Sequence, residues 1–374
     1  MIEKLLEMIY NLTMGTYDYM TSVRRALHKI PERSGMENAT SDYIYAELCS
    51  MGYKPKRIAT GMICDVRGEN SRRKIALRAD IDALPIVEKN DCDYKSVNGC
   101  MHACGHDGHT AMLLYVAKEL RARKPLTDVR LIFQYGEEGE AGAQKMMEKG
   151  AIDGVDEIYA FHLCPELDVG KVASCDGAMF AGVVEFDVEF TGKSSHCADK
   201  DSGIDALAAS AEFTVGSREV NADCSKNTLF HIGAIESGSA RNIVADKALL
   251  KCTLRYFDSA DTDKLMMRLE RMLIGCDNKF GTEHRLTVHA VYPPLVNNPA
   301  ALARLRSITE IGECAPKFTA EDFSFYLEKI PGCMCWLGCG DDRHRSPLHS
   351  DTFDFDERAL SYGVTIYEKL LFGK

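Results

Sequence analysis

The chain has no surplus of basic charge: 45 Lys and Arg stand against 56 Asp and Glu, a formal net charge of −11 at pH 7. Binding to nucleic acid rests on clustered cations that neutralise phosphates, so no nucleic-acid partner is expected; the acidic surface serves solubility. No stretch approaches the ~18 apolar residues that a membrane span requires. The opening MIEKLLEMIYNLTMGTYDYM lacks a basic segment followed by a continuous apolar core, so no secretory signal is read and a cytoplasmic protein with no membrane partner is expected. Internal repeats, low-complexity tracts and long linkers are absent, and no HExxH spacing indicates a single-zinc protease helix.

Cysteine, by contrast, is plentiful. The count is 15, but it is odd, the chain is long and no secretory signal is read, so most are expected to be reduced and buried as small apolar residues. In CMCWLGC (Cys333, Cys335, Cys339) the interleaved Met, Trp and Leu and the absence of a paired CxxC favour a buried strand over a zinc knuckle. At 374 residues the chain exceeds the size at which one core usually keeps growing, which favours two domains.

Residues 1 to about 178 alternate helical and strand-like patterns. A long amphipathic run ends at HKIPE, where Pro31 cannot continue a helix, and a second helix closes at Gly52. The apolar runs KIALRADI, DVRLIFQY and EIYAFHLC are separated by helical segments such as GHTAMLLYVAKELRAR. The expected fold class is therefore α/β, a catalytic domain with a mixed, mainly parallel sheet flanked by helices, and such sheets place ligands beyond their strand ends. Asp80 and Asp82, Glu137 and Glu138, and His162 are each expected at such an end. Residues 181 to 291 change to the order βαββαβ, a ferredoxin-like unit. The domains read as 1–180 with 292–374, and an inserted 181–291 that would serve as lid and dimerisation surface.

Chemistry concentrates in HACGHDGHT, residues 102–110, where three histidines, a cysteine and an aspartate share one short span. The acid pair Glu137 and Glu138, His162 and His349 answer it downstream. Together they supply ligands for a metal and a spare carboxylate to move protons, the combination a hydrolytic metal centre needs. Adjacent residues point in different directions, so Glu137 and Glu138 cannot share one role.

LRADIDALPI, MHACGHDGHTAMLL, FQYGEEGEAGAQKM, HLCPELDVGKV, FTGKSSHCA, GSARNIVAD, EDFSFY and LHSD occur in this order along the chain. In this the chain resembles the amidohydrolase branch of the aminoacylase and carboxypeptidase superfamily of co-catalytic metallopeptidases, which includes hippurate hydrolases, auxin-conjugate hydrolases and N-acyl-amino-acid amidohydrolases. The resemblance implies two divalent metal ions, Zn²⁺ or Mn²⁺, with Cys104 bridging them, His106 and His162 completing one, and Glu138 and His349 the other. It implies Glu137 as general base, Asp82 as the acid that fixes a ligand imidazole, and His196 as a donor to the tetrahedral intermediate, often from a partner subunit. Asn242 and Arg255, expected on successive strands, would hold the substrate's α-carboxylate. The implied reaction is hydrolysis of N-acyl amino acids by a homodimer or higher homo-oligomer.

Alternatives stay open at this point. His102 and His109 compete for ligation or orient the loop. Asp80, where sister branches carry a ligand histidine, is a weaker candidate, and Asp80 or Asp82 can instead serve the turn before Pro85. Arg255 can form a salt bridge within its sheet, and His196 can be an ordinary loop histidine. FQYGEEG and GKSSHCA stand where family members commonly read FQPAEEG and GKGGHAA, which bears on the acyl group or amino acid accepted. A carboxypeptidase or dipeptidase on the same centre, an N-acetyldiaminopimelate deacetylase, a thiol enzyme using Cys104, and a non-catalytic metal- or amino-acid-binding protein are the other readings.

Overall fold

The computed structural model describes residues 17–223 and 227–373. The opening of the first amphipathic run lies outside them, as does Cys224. The chain divides into two compact units, Met1–Gly177 with Val296–Ala315 and Phe325–Lys374, and Ala178–Leu295 with Pro316–Ser324.

The first unit is built on an eight-stranded sheet in the order Lys56–Ile58, Gly61–Val66, Thr127–Gln134, Asn70–Asp80, Glu157–Asp168, Gly332–Gly340, Val172–Ser174, Gly312–Glu313. The central pairings are parallel, with antiparallel neighbours at both sides. Apolar runs become strands here because both faces are covered: every residue of Gly332–Gly340, the CMCWLGC segment, is buried. The helix His106–Ala122 is buried along almost all of its first three turns, and Arg358–Phe372 packs against it. The two approach so closely that a Cβ on Gly363 would fall 2.4 Å from the Met112 sulfur.

Register explains one departure from expectation. His162 does not end its strand, which runs on to Asp168. Leu77 pairs with Tyr159 in the parallel neighbour, so three residues on in both strands Asp80 and His162 stand at the same level. The neighbour Asn70–Asp80 stops there, while the strand of His162 continues against Gly332–Gly340. Glu137 and Glu138 follow the end of Thr127–Gln134 by three and four residues, in a turn.

In the second unit, four antiparallel strands run in the order Thr228–Ser237, Lys247–Tyr256, Gly182–Thr191, Glu283–Tyr292. The helices Ala206–Asp223 and Ser259–Phe280 complete a βαββαβ sequence with the strand order of a ferredoxin-like fold. Its core is aromatic and aliphatic: Phe186, Phe190, Phe213 and Phe230 with Leu250, Leu254, Leu265 and Leu269. Burial alternates along Lys247–Tyr256, as period-two side-chain placement requires.

A buried ion network ties the helix over residues 17–28 to the first unit. Arg24, fully buried, donates from Nε to Asp107 at 3.0 Å, from Nη2 to Asp354 at 2.6 Å and from Nη1 to Glu357 at 3.2 Å. His28 sets Nδ1 against Asp107 at 2.7 Å and Nε2 against Glu88 at 3.3 Å. Burial by itself lowers the His28 pKa, but the hydrogen bond and charge of Asp107, joined by Glu88, outweigh it and raise the value to about 9. Protonated His28 therefore stabilises the fold fully below its unfolded value near ~6.5, and this contribution is lost as pH rises through about 9. In thermal unfolding, the stability advantage of the wild type over His28→Gln is expected to be on the order of 3 kcal/mol in the acid range and to shrink across that window. A difference that grows with pH would refute the assignment.

Candidate metal centre

Loop 102–110 is shaped by Gly105, whose φ of +87° suits a residue without a side chain. An added Cβ there would also meet Leu163 Cδ1 at 3.0 Å. Because Gly105 turns the chain into the helix His106–Ala122, Cys104 and His106 on either side of it face the same pocket. Cys104 Sγ lies 3.4 Å from His162 Nε2.

Hydrogen bonds fix which nitrogen of each histidine is free. His106 Nδ1 lies 3.0 Å from the Asp82 carbonyl and 3.1 Å from its carboxylate. Both are acceptors, so Nδ1 carries a proton, and Nε2 is the nitrogen turned to the pocket, 3.6 Å from Asp80 Oδ2 and 4.0 Å from Glu138 Oε1. His162 Nδ1 donates to the Leu163 carbonyl at 2.9 Å, which leaves Nε2 bare toward Cys104. His109 is different: the Leu163 amide donates to its Nε2 at 2.9 Å, and its Nδ1 donates to Asp80 at 2.6 Å. With both nitrogens engaged, His109 is a neutral bridge between two strands and is not available as a ligand. His102 is buried, its Nδ1 and Nε2 have no hydrogen-bond partner among the described residues, and burial lowers its pKa to about 4.

His349 reaches the pocket through a backbone at φ +64°, a conformation that costs a non-glycine residue of order 1–3 kcal/mol. Its amide is held by the Ala103 carbonyl at 2.8 Å, and its Nε2 stands 3.3 Å from Glu138 Oε1. Two sets of donor atoms result, Cys104 with His106 and His162, and Cys104 with Glu138 and His349, each within 4.8 Å of one another. They share the Cys104 sulfur. Glu137 joins His106 and Glu138 in a further such group. Asp80, His106 and His109 also bring donor atoms close together, but the bonding of His109 removes that group.

The donors fit a cation. His106 Nε2 and Glu138 Oε1 are buried with no hydrogen-bond partner among the described residues, a costly state for groups of their polarity unless something binds them. The electrostatics agree. Burial raises the Cys104 thiol well above its ordinary value, and the charges of Glu138, Glu137 and Asp80 add to that. Burial lowers His106, yet Asp80 and Asp82 draw a proton to it and raise it to about 10. Burial lowers His162, with a further push from His109. The pocket is thus short of positive charge, and thiolate, imidazole and carboxylate donors suit Zn²⁺ or Mn²⁺.

Asp82 and Asp80 hold this arrangement from behind. Asp82 accepts from Ser34 Oγ at 2.6 Å and from the Glu138 amide at 2.9 Å in addition to His106. Asp80 is engaged by His109, by Arg78 Nη1 at 2.8 Å and, through its carbonyl, by Thr110 Oγ1 at 3.0 Å. Ser34 and Arg78 were not legible as parts of this site. The only hint of His109's role is its three-residue spacing from His106, which puts both on one face of the helix.

The remaining candidates belong to the second unit. His196 is exposed, in the two-residue strand Ser195–His196 that pairs with Ile243–Val244, and its Nδ1 accepts from the Ala198 amide at 3.2 Å. Asn242 is not on a strand of the main sheet: it lies in the turn before Ile243, where its carbonyl accepts from Cys197 N at 2.9 Å. The pair His196 and Asn242 thus sit together. Arg255, on Lys247–Tyr256 opposite Leu229 and Val183, is partly buried, and burial lowers its pKa against the nearby charge of Glu185.

The sequence matches the family described as Peptidase family M20/M25/M40 over residues 76–372. It is 35% identical over 356 residues to an N-acetyl-L-cysteine deacetylase of Bacillus subtilis (strain 168), covering 91% of this chain and 84% of that one. An N-acetyldiaminopimelate deacetylase of Exiguobacterium sibiricum is 33% identical over 369 residues, covering 94% and 98%. Among solved structures, a dinuclear metal-binding peptidase of the M20 family from Bacillus subtilis superposes with a TM-score of 0.85 at 30% identity, over 96% of this chain and 97% of that one. The α/β fold, the shared-thiol donor sets and these likenesses agree: the chain belongs to peptidase family M20/M25/M40 and is a metal-dependent amidohydrolase acting on linear amides.

Proposed function

We propose that the chain removes the acyl group, acetyl in the first place, from the nitrogen of an L-amino acid. The observation that carries this reading is the pair of donor sets meeting at Cys104 with Glu137 beside them. The acetyl preference is supported by relatives named as deacetylases of N-acetylcysteine and N-acetyldiaminopimelate.

In this reading His106 and His162 would hold one ion and Glu138 and His349 the other, with Cys104 a donor common to both sets. When bound, two such cations supply Lewis acidity and lower the pKa of water toward ~7. Glu137, whose neighbour Glu138 is committed to the ligand set, takes the proton of the attacking water and delivers it to the departing amine nitrogen. The products are a carboxylate and a free amino acid. Asp82 holds a proton on His106 Nδ1, so that Nε2 is the nitrogen that would meet an ion. For His196 we propose a donor role toward the oxyanion, and for Asn242 and Arg255 a role in holding the substrate carboxylate. The exposed His196 imidazole and a guanidinium with no ion pair among the described residues support this, since Arg matches a carboxylate bidentately.

Three outcomes test the reading. Protein stripped by a chelator and reloaded with Zn²⁺ or Mn²⁺ is expected to regain release of free amino acid from N-acetyl substrates, N-acetylcysteine and N-acetyldiaminopimelate among them, in preference to plain dipeptides. Preferential dipeptide cleavage would move the chain to peptidase chemistry. Glu137→Gln is expected to retain metal and fold while kcat falls about 10²–10⁴-fold; an unchanged rate would remove Glu137 as the base. Asp82→Asn is expected to weaken metal binding, measured by competition with a chromophoric chelator, about 10–100-fold.

A further inference from the structure

Away from the metal centre, the short strands Val172–Ser174 and Gly312–Glu313 pair in parallel at the edge of the large sheet, Gly312 opposite Ala173 and Glu313 opposite Ser174. The next residue on each side is a cysteine. The Cys314 amide donates to the Ser174 carbonyl at 3.0 Å, extending the pairing by one step and setting Cys175 and Cys314 opposite each other. Paired strands lie about 4.8 Å apart, within the ~4.4–6.8 Å between Cα atoms that a disulfide spans. Cys175 is buried and Cys314 partly exposed. The fully buried pair Cys333 and Cys335, with sulfurs 3.6 Å apart, has no such access to solvent. Among the described residues these thiols form no group of three donors close enough for a metal ion, so the geometry offers a dithiol and not a second metal site.

We propose that Cys175 and Cys314 are a redox-active dithiol that a small peroxide converts to a disulfide across the sheet edge. One sulfur attacks a peroxide oxygen and the O–O bond breaks, leaving that sulfur as sulfenic acid while the other oxygen departs as water. The second sulfur then attacks the first; the S–S bond forms, the S–O bond breaks, and the oxygen leaves with the second thiol's proton as water. Two thiols are oxidised by two electrons, and one hydrogen peroxide is reduced to two waters. The nearness of the two thiols holds that of Cys175 below its ordinary value and pushes that of Cys314 up, which favours a thiolate within the pair. Cys175 lies two residues before Gly177 and Cys314 one before Ala315, the two places where the chain leaves the first unit. The disulfide would fix both ends to one sheet edge.

The test is a titration of the full-length, metal-loaded protein with hydrogen peroxide, followed by alkylation of free thiols and peptide mapping by mass spectrometry without reduction. A cross-linked peptide containing Cys175 and Cys314, two hydrogens lighter than its parts, is expected to form on the order of tenfold faster than oxidation of the exposed Cys49 and Cys197. Dithiothreitol should reverse it, and Cys175→Ser and Cys314→Ser should each abolish it. Consumption of Cys49 and Cys197 while Cys175 and Cys314 remain open to alkylation would overturn the proposal, as would cross-linking of either to a different cysteine. The decisive map is made on the wild type, so a variant that folds poorly does not blur the result.

Discussion

Everything at the metal centre hangs on the Asp82 carboxylate. It is fully buried, and an ionised carboxylate in that position costs several kcal/mol unless its oxygens are fully engaged. Three segments distant in sequence meet that demand, through the Ser34 hydroxyl, the Glu138 amide and His106 Nδ1. The same bonds set the tautomer of His106 and anchor the backbone of Glu138. One desolvated charge thus orients a donor in each of the two sets. Asp80 repeats the device one strand-end earlier, where it and the Leu163 amide use up both nitrogens of His109. The difference between His106 and His109, three residues apart on one helix, is therefore decided by which acid each meets and by what the opposite nitrogen finds.

Much of this was legible in the sequence because periodicity and composition are local. The apolar runs ending near Asp80 and the acid pair, the βαββαβ order of the second unit and the buried strand of CMCWLGC all follow from side-chain spacing. What escaped depends on register and backbone. His162 was expected at a strand end, and it stands level with one while its own strand continues, because the central strands differ in length. Asn242 was expected on a strand and occupies a turn, since the short pairing of Ile243–Val244 with Ser195–His196 leaves no periodic trace. The positive φ of His349 could not be foreseen for a residue that is not glycine. Ser34 and Arg78 carry no motif; only the fold shows what they touch.

The stretch from His106 to Asp107 divides two buried charge networks of opposite condition. Asp107 faces Arg24 and His28, and with Glu88, Asp354 and Glu357 forms a network in which cations and anions answer one another. His106 faces Asp80, Asp82 and Glu138, where the pairing is incomplete. Burial magnifies both, because charges taken out of water interact more strongly and tolerate imbalance less. Each charged side chain of the first network is hydrogen-bonded, whereas the second leaves His106 Nε2 and Glu138 Oε1 without a hydrogen-bond partner among the described residues. Those two unsatisfied atoms, more than the presence of any one ligand type, mark the pocket as a place for cations.

The proximity of the two networks also bears on how the centre is formed. In small zinc domains the ligands come together only with the ion, and binding energy is folding energy. Here the loop carrying Cys104 and His106 is fastened independently, by the left-handed turn at Gly105 and by the grip of Arg24 and His28 on Asp107. His349 is fastened by the Ala103 carbonyl, and Glu138 by Asp82. The donors are therefore held near one another by bonds that do not involve them, and the cost of assembling like charges is met by the surrounding fold before any ion arrives. Cation binding relieves that cost instead of having to shape the loop, so the folded state is favoured further without the architecture depending on it.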